Sequence, residues 1–327
     1  MNEGLILISP AGNLPFVSNI HNWGLGVITA VQRMANPSFT LFFNFFNNIN
    51  LELCFMIVIM FIFWCVNEKK AFRFGLLIMI SFWINLCLKD FFGQPRPYEL
   101  VPALGLAFEA SPAFPSSQAQ MSVVFWAALI FNLPKGGRLR FLIWPLSILL
   151  ILYIGFTQLY LGLHFPTDIF GGWITGVIIL GLFYLLEKPG TKFFLKAEKR
   201  PQLICAAAAA FLMNALHPSD RSISALFLGF SIGYSLMING FPFSPNEKAI
   251  EKKISIQVYI LRIIIGFSAA GLIFVGLRLL LPGHNSIWQG IPFLEDFYEV
   301  GSFIHYGLFG FWVSAGAPWT FRHLEIL

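Results

Sequence analysis

Three short stretches of the chain bring together residue types able to handle a phosphoryl group. The first is Lys89-Asp-Phe-Phe-Gly-Gln-Pro-Arg96-Pro97, with two cations seven positions apart. A lone lysine at a helix end usually snorkels to the membrane interface. A lysine and an arginine held close together instead call for an anion, and the planar guanidinium fork suits phosphate oxygens. The second stretch, Pro115-Ser116-Ser117-Gln118, opens an apolar run. Serine there is a natural N-cap, and the free N–H groups and dipole of a helix N-terminus attract phosphate. The third is Thr157-Gln158, then His164, then Pro166-Thr167-Asp168. Proline starts a helix whose first turn holds Asp168, four residues after His164. A carboxylate so placed fixes the imidazole tautomer and leaves the other ring nitrogen free to act as a nucleophile. A structural helix cap is the plainer reading of a His-Asp pair standing alone.

The elements that position these residues follow from composition. Of 327 residues, 57% are hydrophobic and 11% charged. Soluble domains carry roughly a quarter charged residues, so lipid must solvate much of this chain. The 38 Phe and 9 Trp fit acyl-chain contact and interfacial belts. A span needs about 20 apolar residues. Eight segments qualify, near 50–67, 71–91, 116–133, 141–162, 167–187, 201–217, 221–239 and 256–281, and a ninth, 299–317, is richer in Gly and Ser. The expected fold is all-α: a multi-span helical membrane protein of about eight to nine transmembrane helices. The segment from His21 to Asn50 is mixed and reads as interfacial amphipathic helix.

Basic residues fall on every second connection: Lys69, Lys70 and Arg73; Lys135, Arg138 and Arg140; Lys188, Lys192, Lys196, Lys199 and Arg200; Lys248, Lys252 and Lys253; and Arg322. The positive-inside rule places these in the cytoplasm and the three chemical stretches outside. The net charge of +5 thus serves topology rather than nucleic-acid binding. The N-terminus lacks a basic n-region and a small-residue cleavage site, so no removable signal peptide is expected. Cys54, Cys65, Cys87 and Cys205 lie in apolar runs and read as small buried hydrophobes rather than disulfides. His217 with Asp220 and Arg221 reads as a helix-joining turn capped by aspartate. Arg262 and Arg278 lie in or near a span, where charge implies a function or a buried partner. Trp288, Glu295 and Asp296 read as an outward, interfacial loop. No metal-ligand cluster, nucleotide-binding glycine loop or nucleic-acid signature is present, so no cofactor, metal or nucleic-acid partner is expected.

Taken in order, the three stretches resemble the signature motifs of the type 2 phosphatidic acid phosphatase superfamily, which includes lipid phosphate phosphatases, polyprenyl diphosphate phosphatases and haloperoxidases. The first motif, Lys, six residues, Arg-Pro, matches residues 89–97 fully. The second, Pro-Ser-Gly-His, reads here Pro115-Ser116-Ser117-Gln118. The third, Ser-Arg, five residues, His, three residues, Asp, reads Thr157-Gln158 through His164 to Asp168. The resemblance covers residues 50–187 and implies a phosphatase-like membrane core there. Residues 1–49 would be an interfacial region and 188–327 an additional C-terminal transmembrane region.

By that resemblance His164 is the nucleophile, Asp168 its orienter, and Lys89, Arg96, Ser116 and Ser117 bind phosphate. The family's acid position is Gln118 and its second arginine position is Gln158. Glutamine has no proton to release at neutral pH, a loss typically worth about 10²- to 10⁴-fold. Losing the second arginine removes one charge from the phosphoryl oxygens. A missing acid favours diphosphate substrates, whose leaving group is already a stable anion. Glu109 and His21 are outward groups that hold an exchangeable proton, although each also reads simply as a loop or interface residue. The resemblance implies a phosphatase of membrane lipid phosphates or diphosphates working through a phosphohistidine, slowed by the two glutamines and facing outward from a bacterial inner membrane. The alternative is a disabled relative that binds lipid phosphate or regulates. A transporter finds no support, since there is no discontinuous helix pair or inverted repeat.

Overall fold

The computed structural model describes residues 15–48, 51–133, 137–245, 255–281 and 297–326. Trp288, Glu295, Asp296, Lys135, Lys248, Lys252, Lys253 and the first fourteen residues lie outside this set. Every expected span is a helix. The elements are α1 (Pro15–Gln32), α2 (Pro37–Asn47), α3 (Leu51–Cys65), α4 (Glu68–Phe92), α5 (Pro97–Leu100), α6 (Ser117–Asn132), α7 (Arg138–Tyr160) and α8 (Pro166–Lys196), followed by α9 (Lys199–Leu216), α10 (Ser222–Gly240), α11 (Ile256–Leu280), α12 (Tyr298–Phe311) and, after a π turn, α13 (Ala317–His323). Among the described residues, five stretches are long and apolar enough to cross a membrane: Glu68–Leu100, Arg140–Tyr160, Pro166–Glu187, Ser222–Gly240 and Ile256–Leu280. The apolar α3 and α6, at 15 and 16 residues, rise about 23 and 24 Å, under the average hydrocarbon thickness of about 30 Å, a mismatch that local thinning of the bilayer accommodates. The chain is an integral membrane protein.

The described residues form two compact units. The first comprises those up to Leu51 together with Ile84–Gly181, and the second Glu52–Trp83 with Leu182 onward. In the first unit, local signals set the helix ends. Asn36 caps α2, accepting from the Phe39 N–H at 2.9 Å, and Pro37 takes the first helical position, where its missing donor is harmless. Helix α2 leans on α7 through aromatic rings, with Phe43 4.5 Å from the Tyr160 centroid and 6.0 Å from Tyr153. Its other face leaves Phe39, Leu41, Phe42 and Phe45 exposed, the pattern of a helix with one lipid-seeking side. The α6–α8 crossing depends on Gly172 and Gly176, where a Cβ would lie 2.6 Å from the Ser116 carbonyl oxygen and 2.9 Å from that of Gln120. Small residues four apart let two membrane helices bring their backbones together.

In the second unit α10 packs against α9 and α12. Phe72 stacks on Tyr234, and Gln202 accepts from Ser235 at 2.6 Å and from Asn239 at 3.0 Å. Arg262 is fully buried and donates to the carbonyls of Trp64, Pro245 and Ile326, with its guanidinium 5.5 Å from the Phe243 ring centre. Backbone carbonyls and an aromatic face thus supply the partners that its charge requires. Asp220 accepts from Ser222 N at 2.8 Å, so aspartate does serve the start of α10, from one residue before the N-cap, Arg221. The cysteine expectation needs correction. All four thiols are free, but only Cys65 is buried, while Cys54 and Cys205 are exposed. An apolar run in a membrane helix faces lipid as readily as protein, so hydropathy does not predict burial within the fold.

Candidate functional site

The site lies wholly in the first unit, at the C-terminal end of α4, the N-termini of α6 and α8, and the loops beside them. Helix α4 ends at Gly93, whose φ of +53° is a conformation that suits glycine. One turn earlier, Lys89 is 2% exposed, and its ammonium donates to the Pro112 carbonyl. Helix α7 ends in a Schellman arrangement at Gly162, φ +69°, with Gly162 N donating to Leu159 O at 3.1 Å and Leu163 N to Gln158 O at 3.1 Å. A Cβ on Gly162 would collide with the Leu104 carbonyl. The Gln32 amide reaches from α1 to the Leu104 and Tyr160 carbonyls, both at 2.9 Å, and secures this turn. The reversal places His164 two residues before Pro166, which starts α8.

Arg96 is the hub. Its side chain has no solvent exposure, and all its nitrogens are engaged. Nε donates to Ser111 O at 2.7 Å, and one terminal nitrogen donates to Leu163 O at 3.0 Å while standing 3.4 Å from His164 Nε2. The other donates to Glu109 Oε2 at 2.6 Å and to Ser111 Oγ at 3.0 Å. On its far side, His164 Nδ1 stands 3.5 Å from Asp168 Oδ2, which also accepts from the Phe165 N–H at 2.8 Å. That His-Asp spacing is longer than a made hydrogen bond, so the carboxylate faces Nδ1 without closing on it. Burial, then the adjacent Arg96 and Lys89 cations, hold the His164 imidazole well below its ordinary value of 6.5, against the pull of the Ala113 backbone. A neutral ring with one lone pair directed toward a guanidinium is the form a nucleophilic histidine needs.

Ser116 caps α6, its hydroxyl accepting from Ala119 N at 3.4 Å, and its own N–H donates to the Asp168 carbonyl at 3.0 Å. The start of α6 is therefore tied to the first turn of α8. Ser117 donates instead to Asn85 Oδ1 at 2.6 Å, and the Asn85 amide donates to Gln120 at 2.9 Å and to the Pro115 carbonyl at 3.3 Å. That network links α4 to α6. Gln118 donates to Glu109 Oε1 at 2.8 Å. Gln158 is 2% exposed and donates to Asn47 of α2 at 3.1 Å. The carbonyl oxygens of both glutamines are buried without a hydrogen-bond partner among the described residues.

The structure thus joins Lys89, Arg96, Ser116, His164 and Asp168 in one cluster, with Gln118 reached through Glu109. Ser117 and Gln158 are bonded to neighbouring helices. His21 stacks on the Phe165 ring, 4.9 Å between centroids. Sequence reasoning missed Asn85, Ser111 and Asn47. Asn85 was within reach, lying one helical turn before Lys89 on the same face. The other two carry no local signal.

Residues 70–191 match the PAP2 superfamily profile, and residues 222–326 match the transmembrane extension of PAP2 superfamily phosphatases. Lipid phosphate phosphatase delta of Arabidopsis thaliana is 21% identical over 274 residues, 77% of this chain and 65% of that protein. An undecaprenyl-diphosphatase of Sulfolobus acidocaldarius is 28% identical over 37% of this chain and 59% of its own length. Phosphatidylglycerophosphatase B of Bacillus subtilis is 26% identical over 35% and 56%. The chain therefore spans between 56% and 65% of the length of these curated relatives. The crystal structure of a PAP2-type phosphatidylglycerolphosphate phosphatase from Bacillus subtilis superposes with a TM-score of 0.44 at 20% identity, covering 55% of this chain and 90% of that one. The chain belongs to the PAP2 superfamily, the type 2 phosphatidic acid phosphatases, and carries its transmembrane extension C-terminal to the PAP2 domain.

Proposed function

We propose that this protein hydrolyses a membrane lipid phosphate or diphosphate through a phosphohistidine on His164, at the outer face of a bacterial inner membrane. The observation that carries the reading is the buried His164 imidazole with Nε2 3.4 Å from the Arg96 guanidinium and Nδ1 3.5 Å from Asp168. A phosphoryl group held by Arg96 comes directly before the Nε2 lone pair, while Lys89 and the N-terminus of α6 share its negative charge. As the N–P bond forms, the bond from phosphorus to the leaving oxygen breaks and the lipid alcohol or phosphate departs, while positive charge grows on the ring and Asp168 stabilises it through Nδ1–H. Water then attacks phosphorus and frees the imidazole. The relatives named for action on lipid phosphate and undecaprenyl diphosphate support this substrate class. The basic connections on the other side of the membrane support the outward orientation. Residues 50–187 carry the chemistry and 188–327 extend the membrane embedding.

A second reading has its own observation. Gln118 and Gln158 stand at the family's acid and second arginine positions, so the pocket would bind lipid phosphate without turning it over. Phosphate release from lipid monophosphates and diphosphates by purified protein, beside His164→Ala and a Gln118→His/Gln158→Arg double variant, separates the two. Release by wild type that His164→Ala abolishes supports the enzyme. Release by the double variant alone establishes the binder.

A further inference from the structure

We propose that Glu109 is the proton donor and acceptor of this site, doing from the loop what Gln118 cannot do from α6. The inference rests on the phosphatase reading above. Glu109 lies nine residues before Gln118 in the loop between α4 and α6, yet its carboxylate enters the cluster. Oε2 accepts from Arg96 at 2.6 Å and Oε1 from Gln118 at 2.8 Å. The backbone of the same residue is clamped, its N–H donating to the Tyr98 hydroxyl at 3.1 Å and its carbonyl accepting from that hydroxyl. The carboxylate is thus a fixed group, one hydrogen bond from the side chain at the vacated acid position and one from the guanidinium beside His164 Nε2. At 25% exposure it also keeps contact with water.

The charged groups facing Glu109 are Arg96 from its own loop and, at electrostatic range, Lys89 from α4, with His164 and Asp168 beyond the guanidinium. Without substrate, the carboxylate balances Arg96. An arriving phosphoryl group takes over the guanidinium and puts two anionic groups face to face, a situation in which they share a proton rather than both ionise. The monoanion of a phosphate monoester brings that proton with it. In the first half-reaction His164 Nε2 forms a bond to phosphorus, the bond to the leaving oxygen breaks, and Glu109 passes its proton to that oxygen. In the second, the Glu109 carboxylate takes a proton from water as the water oxygen attacks phosphorus, the P–N bond breaks, and Glu109 is protonated again for release of product. Gln118 is the positioning residue, its amide holding one carboxylate oxygen. The vacancy at the histidine position then no longer confines the site to diphosphates.

The test compares a long-chain alkyl monophosphate with the matching alkyl diphosphate, using purified full-length wild type, Glu109→Gln and Glu109→Gln/Gln118→His. An alkoxide leaving group needs the proton, whereas a phosphate leaving group does not. Glu109→Gln is expected to cut the single-turnover rate of alcohol release from the monophosphate, the first half-reaction, by about 10²- to 10⁴-fold and to lower the corresponding release from the diphosphate by less than about tenfold, as a leaving group needing little protonation implies. Adding Gln118→His should restore monophosphate turnover, a rescue that a merely structural glutamate would not allow. Equal losses on both substrates, or no loss on either, overturn the assignment while leaving His164-dependent catalysis standing. Failure of wild type to release phosphate from either substrate overturns the phosphatase reading and this inference with it.

Discussion

Arginine and lysine are not interchangeable at position 96. Ser111 O, Ser111 Oγ, Leu163 O and Glu109 use separate donors of the guanidinium, and the same fork faces His164. Arg96→Lys keeps the charge but cannot reach all of these acceptors at once. Loss of this charge-positioning group is expected to lower kcat by about 10²- to 10³-fold, the range seen when one transition-state donor is removed, and to lower the melting temperature. Unchanged kcat would remove Arg96 from the phosphoryl site. His164 makes a separate, pH-dependent prediction. Its folded-state value lies below the ordinary 6.5, so in acid the unfolded chain binds a proton that the folded chain resists. Stability attached to this residue is therefore present above pH 6.5 and is lost as pH falls below that value, by up to about 1.4 kcal/mol per pH unit. Melting curves of wild type against His164→Asn should converge as pH is lowered through that window. Parallel curves would mean that the ring is not held neutral.

These residues were legible to different degrees for a physical reason. His164 and Asp168 sit one helical turn apart, and Lys89 and Arg96 share a helix end and the loop after it, so local spacing already implied proximity. Glu109 was visible only as a proton-bearing loop residue. The Tyr98 clamp and the Arg96 ion pair that draw it inward are products of loop folding, which no periodicity encodes. Ser117 was read with Ser116 as a phosphate ligand, but its hydroxyl reaches Asn85 on another helix, a choice that depends on how α4 and α6 pack.

The helix ends are as important to the site as the side chains they present. Gly162 reverses the chain with φ +69° and faces the Leu104 carbonyl closely enough to exclude a methyl group, and His164 follows two residues later. Gly162→Ala combines a left-handed conformation, about 1–2 kcal/mol for an L-residue, with that clash. It should reduce both thermal stability and His164-dependent turnover. Wild-type behaviour in both assays would show that the turn does not position the histidine. Gly172 makes the corresponding prediction for the α6–α8 crossing, where Leu would push Ser116 away from the Asp168 carbonyl. Helix positions were legible because apolar run length encodes them directly. That α3 and α6 are only 15 and 16 residues long was hidden, since apolar residues beside a cap count toward hydropathy but not toward helix length.

Across the whole chain, sparse charge sets the environment, and the placement of Lys and Arg is the basis of the proposed orientation. After replacement of the four native cysteines, Ala110→Cys, an exposed neighbour of Glu109, should react with a membrane-impermeant maleimide in intact spheroplasts, whereas Arg138→Cys should not. The reverse pattern would put the site in the cytoplasm. The most direct measurement of the proposed chemistry is covalent trapping: an alkaline detergent quench, which preserves the acid-labile P–N bond, during turnover of a lipid substrate carrying ³²P on its terminal phosphoryl group, followed by peptide mapping in base. Label on the peptide containing His164, absent from His164→Ala, is the expected result. Turnover that persists in His164→Ala, or label on a different residue, would contradict a phosphohistidine at this position.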